Sequence, residues 1–401
     1  MYSVFPKRVF KAMSRWGFIL AVTAMLAPRA GLAASAQPAL SVTVLGAPQV
    51  VFDTTTQACE KTDIPDIMAR AFRDNTGQVH LFASHYVSRA MLGMDLNRLT
   101  HSCDIVYNSA QDADPSHFSD YDWLGAFFTL DGRHVIALVH NEYHGWVYAG
   151  RCIKPARAGE QGHCWWNSID FMTSDDGGKS FVMPSPPANV IAEESAPYAN
   201  DNDAGAVGYN SPSNIVSYNG AYYFMINAWP YDAQNGGACL LRSTNPFDPT
   251  SWRAWDGTGF NIKFVDPYKR NVGTARQITC LPVYLGEAQS LVYDPAHALF
   301  LVTEFPQDKR YGAPGIYVST SPDLLHWTHP VLVISQAELL AQDGPGRWHY
   351  DYASLLDPAS TDRNFSTISE LPYVYYMRED MLHAPLTRRL YRLPIRLNFA
   401  N

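Results

Sequence analysis

Short stretches of alternating apolar and polar residues recur along the chain, and this period of two predicts β-strands. Several consecutive stretches flank a tight turn that ends in Gly77, Gly132 or Gly220, preceded by Asp, Thr or Asn. Asp-Gly and Asn-Gly turns between alternating stretches are strong signals for β-hairpins. We therefore predict five strand pairs, the last two with longer connections, over residues 67–84, 123–140, 213–229, 288–304 and 352–379.

A second hairpin pattern follows in most of these units, over 169–181, 239–252 and 316–327. Each copy has a strand, a serine, a turn rich in Asp, Asn, Pro or Gly, and then an aromatic residue. The serines and closing aromatics are Ser174, Ser243, Ser319, Phe181, Trp252 and Trp327. We expect the serine and turn acid to bond local backbone and the aromatic to be buried between units.

The regular spacing of these units predicts an all-β fold. The first strands begin near residues 66, 122, 209, 287 and 351, about 71 residues apart on average. Four strands per unit and five units predict a five-bladed β-propeller with four-stranded antiparallel blades. A two-sheet sandwich fits five double hairpins poorly. We expect the stretch 40–52 to pair with 388–399 and close the ring, which removes an open sheet edge.

The first 36 residues have the features of a secretory signal peptide. They carry five basic residues and no acid, an apolar run over 16–26, and the small residues Ala34-Ser35-Ala36. A membrane anchor is the alternative, but the run is too short to span about 30 Å of hydrocarbon. We predict a signal peptide over 1–36, a single propeller domain over 37–401, a secreted or periplasmic location, and no membrane contact after cleavage.

Six cysteines follow the predicted signal, and an even number in an exported chain suggests three disulfides. Six cysteines allow 15 connectivities. Sequence order favours the pairs Cys59–Cys103, Cys152–Cys164 and Cys239–Cys280. Zinc binding is a weak alternative, because no C-x-x-C pair is present.

Composition excludes several classes of protein. Aromatic residues make up 13% and charged residues 17% of the chain, which is unlike disordered proteins or coiled coils. The formal net charge of −8 argues against nucleic-acid binding, which needs clustered Lys and Arg. We expect a monomer.

Two hairpins resemble those of known families. The sequence 174–181 resembles the Asp-box hairpin of sialidases, while 319–327 and 243–252 resemble a hairpin of five-bladed propeller glycoside hydrolases. Those are the arabinanase/xylosidase type, family 43, and the invertase type, family 32. The resemblance covers roughly 64–330. It implies a propeller with three acidic residues at the mouth of the central channel. One acts as base or nucleophile, one as general acid, and the third adjusts pKa and orients.

Acidic residues stand at the predicted starts of several first strands, where a propeller faces its channel. Converging carboxylates repel one another, so one pKa rises while another stays low. The alternative for each acid is a solvated carboxylate or a turn cap. Our candidates for catalysis are Asp66, Asp122, Glu142 and Glu287.

The segment 140–146 places Glu142 among two histidines, Tyr143 and Trp146. Rings beside a carboxyl raise its pKa and can stack on a sugar. Zinc through His140 and His144 is less favoured, because a four-residue spacing suits a helix face rather than a strand end. The candidates for substrate binding are Arg70, His144, Trp146, Trp165, Trp166, Asn214, Asp351 and Arg378.

Our leading hypothesis is an exported glycoside hydrolase that cleaves a poly- or oligosaccharide with paired carboxylates. A non-catalytic, lectin-like propeller that binds carbohydrate is the first alternative. A sialidase-like enzyme is another, and would need an arginine triad, for which Arg70, Arg276 and Arg378 are candidates, and a tyrosine nucleophile. A calcium-dependent esterase or lyase is the last. We expect no cofactor and no catalytic metal, although a structural calcium ion would be compatible.

Overall fold

A computed structural model describes residues 38–153, 163–202, 205–269, 278–344, 347–382 and 387–400. Within it, Pro38–Asn401 forms one compact unit. The predicted signal peptide over 1–36 lies outside the described residues, as does Arg276.

Strands dominate the described residues. The first thirteen are β1 (Ala39–Val44), β2 (Gln49–Asp53), β3 (Arg70–Arg73), β4 (Val79–Phe82), β5 (Val87–Ser88), β6 (Met91–Gly93), β7 (Leu99–His101), β8 (Tyr107–Asn108), β9 (Tyr121–Thr129), β10 (Val135–His144), β11 (Trp165–Ser174), β12 (Val190–Ala192) and β13 (Ala206–Asn210). The others are β14 (Val216–Tyr218), β15 (Ala221–Trp229), β16 (Gly237–Ser243), β17 (Arg253–Trp255), β18 (Phe260–Ile262), β19 (Ser290–Asp294), β20 (Leu299–Glu304), β21 (Gly315–Ser321), β22 (Val331–Ser335), β23 (Trp348–Leu356), β24 (Tyr373–Asp380) and β25 (Arg388–Ala400).

Helices are few and short in the same residues. The α-helices are α1 (Thr54–Gln57) and α2 (Gln336–Asp343), and single 3-10 turns occupy Pro115–His117, Gly145–Val147 and Pro249–Ser251. Neither α-helix has the length and apolar character needed to cross a lipid bilayer. The predicted all-β class is therefore confirmed.

The five predicted first hairpins are present as antiparallel pairs. They are β3–β4, β9–β10, β14–β15, β19–β20 and β23–β24. Turn chemistry explains the third of them, because Asn219 and Gly220 have φ angles of 48° and 74°. Both central residues of a type I′ turn need positive φ, which Asn and Gly adopt most readily.

The strands form larger sheets by hydrogen bonding in chain order. Two sheets have four strands each, β3-β4-β6-β7 and β19-β20-β21-β22. A third sheet has ten strands, because β11 pairs in parallel with β13 and so joins the group that starts at β9 to the group that ends at β18. Neighbouring groups pack through apolar side chains, for example Leu138 of β10 with Phe224 and Ile226 of β15.

The last strand lies inside its sheet. β25 pairs with β24 on one side and with both β1 and β2 on the other, all antiparallel. The predicted pairing of 40–52 with 388–399 is confirmed.

The second hairpins use the local hydrogen bonds expected of them. The backbone N–H of Gly178 donates to Ser174 Oγ at 2.9 Å, and those of Lys179 and Ser180 donate to Asp176 Oδ1 at 3.0 Å. Phe181, which closes this turn, is buried. Arg133 of the preceding hairpin adds two bonds to the turn, since its carbonyl accepts from the N–H of Gly177 at 2.9 Å and its Nε donates to the carbonyl of Asp175 at 3.2 Å.

Three disulfides tie the chain, and their pairs are those that sequence order favours. They join Cys59 to Cys103, Cys152 to Cys164 and Cys239 to Cys280. Structural disulfides are typical of proteins in oxidising compartments.

Candidate active site

Asp66, just before β3, is held by side chains from distant parts of the chain. Its Oδ1 accepts hydrogen bonds from Tyr352 Oη at 3.2 Å and from Arg388 Nη1. Its Oδ2 accepts from Trp123 Nε1 at 3.2 Å, and His85 Nε2 lies 3.2 Å away. The carboxylate therefore has a fixed orientation while the residue remains 13% exposed.

Arg388 supplies the positive charge at this position. Its Nη1 bonds Asp66, and its Nε lies 3.3 Å from Glu379 Oε1. Burial lowers the pKa of Arg388 to about 10, so the guanidinium remains charged at neutral pH. Burial lowers the pKa of His85 to about 4, so this neighbour is neutral. A fixed cation beside Asp66 stabilises its ionised form.

Sequence reasoning missed Arg388, although a signal was present. The residue starts the predicted C-terminal strand, as several candidate acids stand at predicted strand starts. Its position therefore indicates Arg388 by the same pattern.

Glu142 lies near the end of β10 beside two imidazoles. His144 Nε2 is 2.8 Å from Glu142 Oε2, and His140 Nε2 is 3.7 Å from Oε1. Burial raises the pKa of Glu142, although the nearby histidines act in the opposite direction. Burial lowers the pKa of both histidines, that of His144 to about 4. Burial is therefore the effect that favours retention of a proton on this carboxyl.

Glu287 and Asp351 line one cavity of about 260 Å³ together with Glu304 and Arg310. Glu287 is exposed, yet the surrounding protein displaces water from its carboxyl. This loss of solvent is the main reason that the pKa of Glu287 is raised, and the negative charge of Asp351 adds to it. Burial raises the pKa of Asp351 to about 6, and Gln289 Nε2 donates to its Oδ1 at 2.6 Å.

Tyr352 follows Asp351 in the chain, and its phenol donates to Asp66 Oδ1 at 3.2 Å. Its φ of 63° is unusual for an aromatic residue, and the pairing of β23 with β24 shifts register between Asp351 and Ser354. This irregularity turns the phenol toward Asp66. Burial raises the pKa of Tyr352 well above its ordinary value, and the charges of four further carboxylates add to this effect. The four are Glu142, Glu287, Asp351 and Glu379.

A row of rings, which we call the aromatic shelf, consists of Tyr121, His144, Trp146, Trp165 and Trp229. His144 stacks on Trp146 at 4.3 Å and lies tilted against Tyr121 at 4.6 Å between ring centroids. Trp165 packs against Trp146 at 6.0 Å and Trp229 at 5.5 Å. Trp146 is 40% exposed. Aromatic faces of this kind can stack on the apolar face of a sugar ring.

Strand register explains the position of the shelf. His144, at the end of β10, is directly opposite Trp165, at the start of β11. Residues directly opposite in an antiparallel pair share one face of the sheet. Glu142 lies two residues from His144 and therefore shares that face, which places a carboxyl beside the shelf.

Two predicted residues are placed away from this region. Trp166 is buried, and its Nε1 donates to Glu193 Oε1 at 2.8 Å. Asp122 is also fully buried, and it accepts hydrogen bonds from Tyr107 Oη at 2.8 Å and Asn141 Nδ2 at 2.7 Å. Burial raises the pKa of Asp122 to about 7. The structure does not bring either side chain to the shelf.

Arg70, expected to bind substrate, is buried and bonds the backbone instead. Its Nη2 donates to the carbonyl oxygens of Pro212 at 3.0 Å and Gln289 at 2.7 Å. The guanidinium therefore links three separate segments of the chain.

Arg378 and Asn214 are likewise engaged elsewhere. Arg378 pairs with Asp343 and lies over the ring of Trp348, 4.4 Å from its centroid. Asn214 is buried, and its Oδ1 accepts from the backbone N–H of Leu291 at 3.4 Å. Of the predicted site residues, Asp66 therefore bonds Tyr352, Glu287 and Asp351 line one cavity, and Glu142, His144, Trp146 and Trp165 lie together at the shelf.

Within the described residues, one group of side chains has the spacing of a metal site. It consists of Cys59, Asp63 and His101, whose candidate ligand atoms lie within 4.8 Å of one another. Cys59 is bonded to Cys103, so its sulfur is not a thiolate ligand. His101 Nε2 instead contacts Asp63 Oδ2 at 2.7 Å. This group is therefore explained without a metal.

Comparison with known proteins gives matches to solved structures. No protein-family model matches the chain, and no curated protein matches it. The catalytic domain of a Coprinopsis cinerea GH62 α-L-arabinofuranosidase is 12% identical, with a TM-score of 0.46, covering 90% of this chain and 97% of that one. A Cellvibrio cellulosa α-L-arabinanase complexed with arabinohexaose is 13% identical, with a TM-score of 0.42, covering 84% and 92%.

A GH32 β-fructofuranosidase from Bombyx mori is 12% identical, with a TM-score of 0.40, covering 82% of this chain and 60% of that one. The names of the arabinanase and the fructofuranosidase are of the two enzyme types that the hairpins resemble. At these identities and TM-scores, none of the matches assigns a role to any residue of this chain.

Proposed function

We propose that the protein is a glycoside hydrolase that cleaves a glycosidic bond in an oligo- or polysaccharide with two carboxyl groups. One observation carries the proposal: Asp66 bonds Tyr352, the neighbour of Asp351, which shares a cavity with Glu287, and the surroundings of these acids differ in charge. Asp66 is paired with the cation Arg388, whereas loss of solvent and the charge of Asp351 raise the pKa of Glu287. Carboxyl groups whose pKa values are driven apart can act as base and acid at one pH.

Each carboxyl then has a distinct role. Glu287 is the general acid, which donates its proton to the glycosidic oxygen as the leaving group departs. Its carboxyl has no hydrogen-bond partner among the described residues, so it is free to reach a substrate. Asp66 is the ionised carboxylate, which attacks the anomeric carbon or removes a proton from water. Asp351 keeps Glu287 protonated to higher pH.

Tyr352 and Arg388 act on Asp66 rather than on the sugar. The phenol of Tyr352 keeps its proton, because its pKa is raised well above the ordinary value. It therefore serves as a hydrogen-bond donor to Asp66 and not as a nucleophile. With Arg388, it fixes the direction in which Asp66 points.

The aromatic shelf provides the binding surface for sugar rings. Glu142 lies beside it and is the second candidate for the general acid, since burial raises its pKa as well. Its contacts with His144 and His140 make it less free than Glu287.

For the fold, we infer five blades of a propeller around a channel. The strand groups that begin at β3, β9, β13, β19 and β23 support this count, and the pairing of β25 with β1 and β2 supports closure. The three disulfides support export to the periplasm or the medium. We infer the signal peptide over 1–36 and a monomeric domain over 37–401 from the sequence.

Release of reducing sugar from a panel of glycans tests the proposal. We expect D66N and E287Q each to lower the rate by about 10²–10⁴-fold while binding is retained. E370Q, at an exposed glutamate far along the chain from these residues, is the matched control and should keep full activity. Full activity in both D66N and E287Q would refute these assignments.

A lectin-like protein is the second candidate, because the aromatic shelf alone would suffice for binding. It predicts saturable binding without turnover, unchanged in D66N and E287Q. The sialidase-like alternative has little support, since Arg70 and Arg378 are bonded to other partners. Arg276 lies outside the described residues.

A further inference from the structure

A row of three titratable side chains crosses β23, β24 and β25 beside the candidate site. Glu379 of β24 is directly opposite His349 of β23 and Arg388 of β25. Residues directly opposite in antiparallel pairs share one face of a sheet. The three side chains therefore lie on one face, and Arg388, at the end of the row, bonds Asp66.

Arg388 contacts two carboxylates from different parts of the chain. Its Nη1 bonds Asp66, and its Nε lies 3.3 Å from Glu379 Oε1. The side chains of Arg388 and Glu379 are 16% and 11% exposed. A cation that has lost most of its water needs anionic partners, and a long arginine side chain must also be restricted to one rotamer. Glu379 serves both needs through a nitrogen that Asp66 does not use.

Other titratable groups that contact Asp66 or act on Glu379 within the described residues are His85, His349 and Tyr352. Burial lowers the pKa of His85 to about 4, and it lowers that of His349 although the charge of Glu379 opposes this. Burial raises the pKa of Tyr352, so at neutral pH all three are uncharged. Burial also raises the pKa of Glu379, whereas the ion pair with Arg388 favours its ionised form. One cation is thus shared by two carboxylates.

We propose that Glu379 is a positioning residue, which holds the guanidinium of Arg388 against Asp66 and offsets part of its positive charge. Through Arg388, it sets both the direction in which Asp66 points and the ease with which Asp66 ionises. This inference rests on the proposed role of Asp66 as the ionised carboxylate.

Two variants separate these effects. E379Q keeps the shape of the side chain and removes its charge, while E379A removes the contact with Arg388 altogether. The matched control is D53A, because Asp53 Oδ2 lies 2.7 Å from Nε of Arg389, the next residue of β25. Consecutive strand residues face opposite sides of a sheet, so D53A removes an arginine partner on the face away from Asp66.

The assay measures kcat, KM and the pH profile of kcat/KM on the best substrate of the glycan panel, together with the unfolding midpoint of each variant. We expect E379A to lower kcat by about 100-fold, since a misplaced catalytic group costs about that much, with KM little changed. D53A should keep the kcat of the unmodified protein even if its midpoint falls. In E379Q, the loss of a neighbouring negative charge should lower the pKa of Asp66, so the acidic limb of kcat/KM should move to lower pH.

A merely structural role predicts that E379A and D53A both lower the unfolding midpoint and both keep kcat, and that result overturns the inference. An acidic limb that does not move in E379Q also overturns it, and this test remains available if E379A does not fold. D66N is measured alongside. Loss of activity in D66N with full kcat in E379A refutes the role of Glu379 alone, whereas full activity in D66N refutes the proposed function as well.

Discussion

Trp146 offers a quantitative test of sugar binding at the aromatic shelf. It is 40% exposed, and the rest of its surface packs on neighbours such as His144. A tryptophan can bury roughly 150–250 Å², so a sugar that covers the exposed part removes about 60–100 Å² from water. At about 25 cal/mol per Å², this burial contributes about 1.5–2.5 kcal/mol. W146A should therefore raise the Kd by about 10- to 60-fold.

Calorimetric titration of E287Q protein measures this loss without interference from turnover. The oligosaccharide is the best substrate found in the glycan panel, and the comparison is between E287Q alone and E287Q with W146A. W255A in the same background is the matched control, because Trp255 packs on Phe260 at 5.3 Å in an outer strand. A change below about 0.5 kcal/mol in W146A, or an equal loss in W255A, would refute the role of the shelf.

Two further predictions concern pH and stability. Loss of solvent and then the charge of Asp351 raise the pKa of Glu287, so D351N should lower that pKa. The alkaline limb of the pH profile of kcat/KM should then move to lower pH. A limb that does not move would show that Glu287 is not the general acid. The bond between Cys152 and Cys164 spans 12 residues, and the chain-entropy relation gives about 2.8 kcal/mol for its loss at 25 °C. Urea unfolding of C152A/C164A checks this value. A loss greater than that for either disulfide spanning 41 or 44 residues would contradict the relation here.

The hairpins could be predicted because their causes are local. Asn219 and Gly220 adopt positive φ, and the serine and acid of the turn after Ser174 bond backbone within four residues. The disulfide pairs followed for a similar reason, since each joins cysteines that are neighbours in sequence order.

Trp165 and Trp166 face opposite sides of their sheet, and the alternation of side chains along a strand predicts this difference. They are consecutive in β11, and consecutive strand residues face opposite sides of a sheet. Trp165 accordingly belongs to the shelf, and Trp166 packs in the interior. The sequence prediction assigned both tryptophans to substrate binding. Because side chains alternate between the two faces of a strand, two consecutive residues do not reach the same ligand.

Arg70 could not be placed from sequence, because both faces of β3 are largely buried. Alternation indicates orientation only when one face is solvated. Its partners, the carbonyls of Pro212 and Gln289, lie 142 and 219 residues further along the chain. Tyr352 could not be predicted for another reason. The strand register shifts between Asp351 and Ser354, and no sequence motif predicts such a shift.

The position of β25 has a consequence for both its sheet and the candidate site. This strand is the last described in the chain, yet it lies between β24 and β1, which precedes it by more than 300 residues. Without residues 388–400, β24 and β1 have no strand between them, and Asp66 has no Arg388 beside it. One strand therefore both joins two distant parts of the chain and supplies the cation of the candidate site.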